Sequence, residues 1–184
     1  MPFKAMDASN GKLIISLDFS SKLNLIALHD NVICPYCKNK MHCRERTNFA
    51  LHFVHNSTPE NCLSGGESWL HLECKRLIYL ELKAKVDSLP ENTKELFKVD
   101  LEFRVGQVNR IIDVALLLRD KPVEAHEVQL SPITVSELEA RTGDYSSQGV
   151  AAYWYFGGKS FNQEVQQWSK NKYGEVRFFS FENT

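Results

Sequence analysis

The chain has 184 residues, 43% of them hydrophobic and 24% charged, which suits a folded protein with one sizeable domain, or one domain and a small appendage. A formal net charge of -1 excludes binding of nucleic acid by overall basicity, so any such contact must come from local patches. No apolar run could span a bilayer, and the opening MPFKAMDASNGK lacks the apolar core of a signal peptide, so a cytoplasmic protein with no membrane contact is expected.

The segments KLIISLDF and LNLIALHDNVI read as short strands forming a hairpin. They lead into VICPYCKNKMHCRERTNFALHFVHN, where Cys34, Cys37, His52 and His55 follow the pattern C-x2-C-x14-H-x2-H. A CxxC turn places two thiolates on one ion, and paired histidines supply the other half of a tetrahedral Zn²⁺ site. The five cysteines are an odd set with one CxxC pair, which argues for metal or thiol chemistry over a disulfide framework. Cys43 and Cys62 are spare thiols, and either could replace one of the histidines. The His spacing is one short of the usual zinc-finger helix, so this is not read as a DNA-reading finger. Lys38, Lys40, Arg44 and Arg46 follow the CxxC as a solvated basic loop or a phosphate contact.

STPENCLSGG, residues 57–66, is rich in turn formers and marks a boundary. The expected division is an N-terminal zinc module over 1–64 and a second domain over 65–184. ESWLHLECKRLIYLELKAKVDSL then reads as a helix with an apolar stripe through Leu70, Leu77 and Leu80, stopped by Pro90. Glu67, His71 and Lys75 share one face of it at i, i+4 and i+8.

Three strands follow: LFKVDLEFRV, the nearly all-apolar NRIIDVALLL, and VEAHEVQL, the last two joined by a short RDKP turn. Thr134 and Glu137 make a capping box that starts a helix ending near Gly149. VAAYWYF is a buried-type strand, and a short helix around NQEVQQWSK and a strand EVRFFSF close the chain. The order of elements gives an α/β fold with a mixed sheet and helices on its faces.

Asp113 is the misplaced charge, a carboxylate within a buried strand. If RDKP closes a simple hairpin, it lies nearly opposite Glu127, and Glu127 shares a strand face with Gln129. Two close carboxylates repel unless a cation lies between them, and Mg²⁺ is held by such pairs. The rival is a buried ion pair of Asp113 with Arg110.

An Asp on one strand and Glu-x-Lys on the next, after a helix bearing a Glu, resembles the PD-(D/E)XK nuclease superfamily. More narrowly, CPYC, HFVH, ESWLHLECK, RIIDV, HEVQLSPI and ELEARTGDY, in order from residue 34 to 145, resemble the CoiA-like competence protein family. That resemblance implies a restriction-endonuclease-like αβββαβ core and metal-dependent hydrolysis of DNA. Asp113 and Glu127 would hold Mg²⁺ or Mn²⁺, with the Val128 carbonyl and Glu67 as further ligands and His71 and Lys75 nearby. Gln129 stands where the superfamily has a water-activating lysine. RIID lacks the nominal proline. Arg141 and Tyr145 match the family's R…Y segment, with phosphate as a conjectured partner of Arg141. The zinc would be structural. DNA uptake, recombination, phage defence and a phage-encoded role all fit, and a homodimer or larger assembly is left open. The rival functions are a member of the same fold that binds DNA without cutting it, a zinc-containing protein-interaction module, and, least favoured, a redox protein built on CPYC.

Overall fold

The computed structural model describes residues 2–47, 49–57, 62 and 67–180. The expected boundary at 64/65 and most of the turn-rich stretch before it fall outside these residues, as does the end of the EVRFFSF strand. Backbone contacts divide the chain into two units, Met1–Arg76 and Leu77–Thr184. The division falls within one helix. No described helix is long and apolar enough to cross a membrane.

The first unit opens with β1 (Lys4–Asp7) and β2 (Leu13–Ile15), a short 3-10 turn, then α1 (Lys22–Leu28) and β3 (Val32–Ile33). β1 is the middle strand of a three-stranded antiparallel sheet, between β2 and β3. The expected hairpin of two strands is corrected here, because LNLIAL is helical. Ser21 caps that helix by accepting from the Asn24 N–H, and a capped start outweighs the strand propensity of a short apolar run. β4 (Met41–Arg46) and β5 (Phe49–His55) form an antiparallel pair with a register shift between Arg44 and Arg46. Ala5, Ile14, Leu25, Val32, Cys43, Leu51 and Phe53 form the core of this unit.

α2 (Trp69–Asp87) follows. Its buried residues are Leu72, Cys74, Lys75, Ile78, Tyr79 and Leu82, whereas Leu77 and Leu80 are each 43% exposed. The apolar stripe expected through Leu77 and Leu80 is therefore rotated, and a lysine takes one of the buried positions.

The second unit continues with α3 (Glu91–Lys94), β6 (Phe97–Val105), β7 (Arg110–Leu118), β8 (Lys121–Gln129), α4 (Val135–Ser147), β9 (Ala151–Phe156), α5 (Gln163–Tyr173) and β10 (Arg177–Phe178). Its five-stranded mixed sheet has the order β10-β9-β8-β7-β6. β6, β7 and β8 are antiparallel neighbours, while β8 and β9 are parallel, which requires a crossover, supplied by α4. The β7–β8 turn has φ of 50° at Arg119 and 63° at Asp120. Positive φ at both central residues matches the right-handed twist of a tight hairpin, and a one-residue register shift between Leu116 and Leu117 then carries Asp113 opposite Glu127. The capping box at Thr134 and Glu137 starts α4 as expected. Small side chains at Ala115, Ala125 and Ala152 share a cluster with the Tyr145 ring, leaving it room to reach the sheet. Gly158, at φ +54°, places its Cα side only 3.1 Å from the Leu130 carbonyl for any added Cβ, so a larger residue would be doubly opposed there.

Candidate functional site

Two groups of side chains carry chemistry, one in each unit. In the first unit, the CxxC turn after β3 and the end of β5 bring Cys34, Cys37, His55 and Cys62 together, their ligand atoms all within 4.8 Å of one another. Sγ of Cys34 is 3.6 Å from Sγ of Cys62, and Nε2 of His55 is 3.3 Å from Sγ of Cys37 and 3.6 Å from Sγ of Cys62. Ligands at about 2.3 Å (sulfur) and about 2.0 Å (nitrogen) from a tetrahedral ion lie roughly 3.5–3.8 Å apart, so this Cys3His set fits zinc. Burial, with the neighbouring thiols adding to it, pushes the Cys37 thiol up to about 11. A bound cation would offset this by stabilising the thiolates.

His52 is replaced by Cys62 in this group. On β5, residues three apart point to opposite faces, so His52 and His55 cannot serve one ion. His52 instead directs Nδ1 at the Ala50 carbonyl, at 2.8 Å. Cys43 also stays out, buried in the core with its thiol pushed up to about 11.

Glu67, His71 and Lys75 all belong to the first unit. The fully buried Lys75 ammonium donates to both carboxylate oxygens of Glu67, at 2.9 and 3.0 Å, and Nε2 of His71 lies 3.9 Å from Glu67.

In the second unit, the pair Val114↔His126 continues by one step to place Asp113 opposite Glu127. The Val128 N–H donates to Oδ2 of Asp113 at 2.9 Å, and the Asp113 N–H donates to Oε1 of Glu127 at 3.4 Å. The rival pairing of Asp113 with Arg110 is corrected, since the Arg110 guanidinium binds Asp144 at 2.7 Å. Glu127 is only 1% exposed. Burial first, then repulsion from Asp113, push its carboxyl up to about 7, against the pull of Arg141 and Tyr145.

α4 supplies both of those partners. Nη2 of Arg141 donates to Oε2 of Glu127 at 2.6 Å, and the Tyr145 hydroxyl donates to Oε1 at 2.8 Å. The two helix residues are four apart, so they share the face turned to β8. Gln129 donates from Nε2 to the carbonyl and hydroxyl of Ser131, at 2.8 and 2.9 Å, and its Oε1 accepts from Nη1 of Arg141 at 3.3 Å. Arginine can only donate, which fixes this orientation of the amide. The guanidinium lies 4.6 Å from the centre of the Trp154 ring. Trp154 Nε1 donates to Thr142, whose hydroxyl donates to the Leu138 carbonyl.

Oε1 of Glu127 has two protein donors, the Tyr145 hydroxyl and the Asp113 N–H, whereas Oε2 has one, Arg141, and keeps a further lone pair. Two buried carboxylates side by side, one of them bonded to a guanidinium, are the kind of group that can hold a hard divalent cation. Arg141, whose conjectured partner was phosphate, makes these carboxylate and amide contacts within the chain.

Sequence reasoning passed over Ser131, Thr142, Trp154 and Glu102. Glu102 is 4% exposed, lies between the pairs Leu101↔Val114 and Phe103↔Ile112, and so stands across from Asp113 on the other neighbouring strand. Its φ of 51° is sparsely populated by residues other than glycine. A second carboxylate in an alternating strand was the available signal. A cavity of about 640 Å³ opens on the opposite face of β8, beside Glu124 and His126, away from Asp113 and Glu127.

Residues 67–183, well over half of the chain, match the family model described as competence protein CoiA, nuclease-like domain. No curated protein and no solved structure matches. A nuclease-like domain implies a nucleic-acid partner, and the PD-(D/E)XK resemblance is consistent with that description. Mixed α/β architecture, a Cys3His cluster and the match over 67–183 together place the chain in the family of the competence protein CoiA, through its nuclease-like domain.

Proposed function

We propose that this chain is a divalent-metal-dependent DNA endonuclease that hydrolyses phosphodiester bonds at Asp113 and Glu127, in DNA uptake, recombination or phage-related DNA processing. The observation that carries this reading is the Asp113–Glu127 pair. Two buried carboxylates on adjacent strands are locked together by backbone hydrogen bonds, one of them with its carboxyl raised to about 7. Strain of this kind favours a cation between the groups.

Asp113 and Glu127 would hold Mg²⁺ or Mn²⁺, with the Val128 carbonyl as a further oxygen. The share of Glu67 is tested by Glu67→Gln. A cation held by these residues would supply Lewis-acid polarisation of the phosphoryl oxygen and activation of water. The Val128 N–H fixes Asp113, and Tyr145 and Arg141 fix Glu127. Gln129 orients the attacking water through the remaining lone pair of its Oε1. Arg141, 3.3 Å from that oxygen, supplies a positive charge beside the position where the superfamily's lysine would place one. The Cys3His group holds a structural zinc ahead of a catalytic domain that begins near residue 65.

A second reading, a DNA-binding protein of the same fold that does not cut, draws on Gln129, a neutral group whose amide is already engaged by Ser131 and Arg141. Incubation of linear, single-stranded and branched DNA with the protein and Mg²⁺ or Mn²⁺ separates the two. Cleavage that is lost in Asp113→Asn and Glu127→Ala, with folding preserved, supports the nuclease. Binding of the same DNAs without cleavage by the unaltered protein supports the second reading.

A further inference from the structure

A cavity of about 360 Å³ in the first unit plays no part in the metal chemistry above. It falls within the roughly 300–1,000 Å³ of small-ligand sites. Its lining includes Arg44 and Arg46 of β4, Phe49 and His52 of β5, and Trp69 of α2. Arg44 lies directly across the strand pair from His52, and Arg46 across from Phe49. The register shift between the two arginines breaks strict alternation, and the consecutive residues Phe49 and Ala50 both line the cavity.

Three features point to a ligand. The first is aromatic: Phe49 and Trp69 are 41% and 54% exposed and meet edge to face at 5.8 Å. Large rings left in water are unfavourable, and paired exposed rings are the platforms on which unpaired bases stack. The second is charge: among the described residues, neither the Arg44 nor the Arg46 guanidinium has a hydrogen bond or ion pair, whereas Glu73 on the same wall is bound at both oxygens by Arg76, at 2.9 and 2.5 Å. The wall therefore offers two guanidinium forks uncommitted among the described residues, the group that best matches phosphate geometry.

The third is His52, 4% exposed, with Nε2 buried and without a partner among the described residues. Because Nδ1 faces a carbonyl, it carries the proton. Burial, reinforced by Arg44 and Arg46, lowers the pKa of His52 and keeps the ring neutral. Nε2 is then a bare acceptor, and leaving it unsatisfied is costly.

We infer that this cavity binds an unpaired nucleotide of single-stranded nucleic acid, with the base against Phe49 and Trp69, a base N–H donating to Nε2 of His52, and the phosphate on Arg44 and Arg46. A duplex hides its base faces and cannot satisfy this site. The inference does not depend on whether Asp113 and Glu127 cleave DNA, and a chain that binds here without cutting leaves it intact.

The test is fluorescence anisotropy with a labelled oligothymidylate of about a dozen nucleotides, without added divalent metal. Trp69→Ala is expected to weaken binding about tenfold, within the range of one lost stacking contact. Arg44→Gln with Arg46→Gln is expected to weaken it at least as much and to flatten the salt dependence, since fewer counterions are released. Arg46→Glu, at an exposed position, serves the same purpose without threatening the fold. Asp113→Asn is expected to bind like the unaltered protein, and a duplex of the same length to compete poorly. Three results would overturn the inference: no binding by the unaltered protein, undiminished binding by Trp69→Ala and Arg46→Glu, or tighter binding of a phosphotyrosine peptide than of the oligonucleotide.

Discussion

Nη2 of Arg141 donates to Oε2 of Glu127 over 2.6 Å, so the only cation bonded to this buried carboxylate among the described residues comes from the neighbouring helix. Arg141→Ala removes it and leaves a buried negative charge beside Asp113. The metal-free variant is expected to lose about 3 kcal/mol of stability near pH 8, as when one partner of a buried pair is deleted. Chemical denaturation followed by circular dichroism reads the loss directly.

The same carboxyl makes stability depend on pH. Its value rises from an ordinary 4.5 to about 7 in the folded chain. Between these values the folded protein holds a proton that the unfolded chain has released. The stabilisation is therefore fully present below pH 4.5 and is lost as pH rises through 7. Denaturation midpoints of the metal-free protein are expected to fall from pH 5 to pH 8, and Glu127→Gln is expected to remove this part of the slope.

Thr142 tests the support beneath Arg141. Its hydroxyl accepts from the Trp154 indole at 3.0 Å, and that ring lies under the guanidinium. Thr142→Val preserves shape but leaves the buried N–H unpaired, at a cost of about 1–3 kcal/mol. Urea unfolding measures it.

The zinc ligands divide cleanly between two residues. Cys62→Ser is expected to lower bound zinc and destabilise the first unit, because it removes one of four donors. His52→Gln is expected to retain zinc, since His52 lies outside the group. Metal analysis of the purified variants decides between Cys62 and His52 as the fourth ligand.

The strongly patterned parts of the fold were legible in the sequence. The apolar run around Asp113, the RDKP turn and the Thr134–Glu137 box are local signals that mark their elements, but the one-residue shift between Leu116 and Leu117 that carries Asp113 opposite Glu127 is not among them. The zinc set was legible only in part. H-x2-H suggests a ligand pair, but on a strand it splits across two faces, and the missing donor came from Cys62, within the turn-rich stretch. LNLIAL was misread because a short apolar run serves strand or helix equally until its cap at Ser21 is known. The roles of Arg141 and Tyr145 were illegible for a different reason. Their partner Glu127 lies 14 and 18 residues away, and only the crossover through α4 brings them to it.

Titration of the zinc-loaded protein with Mn²⁺, followed by isothermal calorimetry at pH 8, tests most directly whether Asp113 and Glu127 form a metal-binding edge. One equivalent of Mn²⁺ is expected to bind the unaltered chain, with binding lost in both Asp113→Asn and Glu127→Gln while each remains folded. Undiminished Mn²⁺ binding by both variants, or none by the unaltered chain, would contradict a catalytic metal at these two carboxylates.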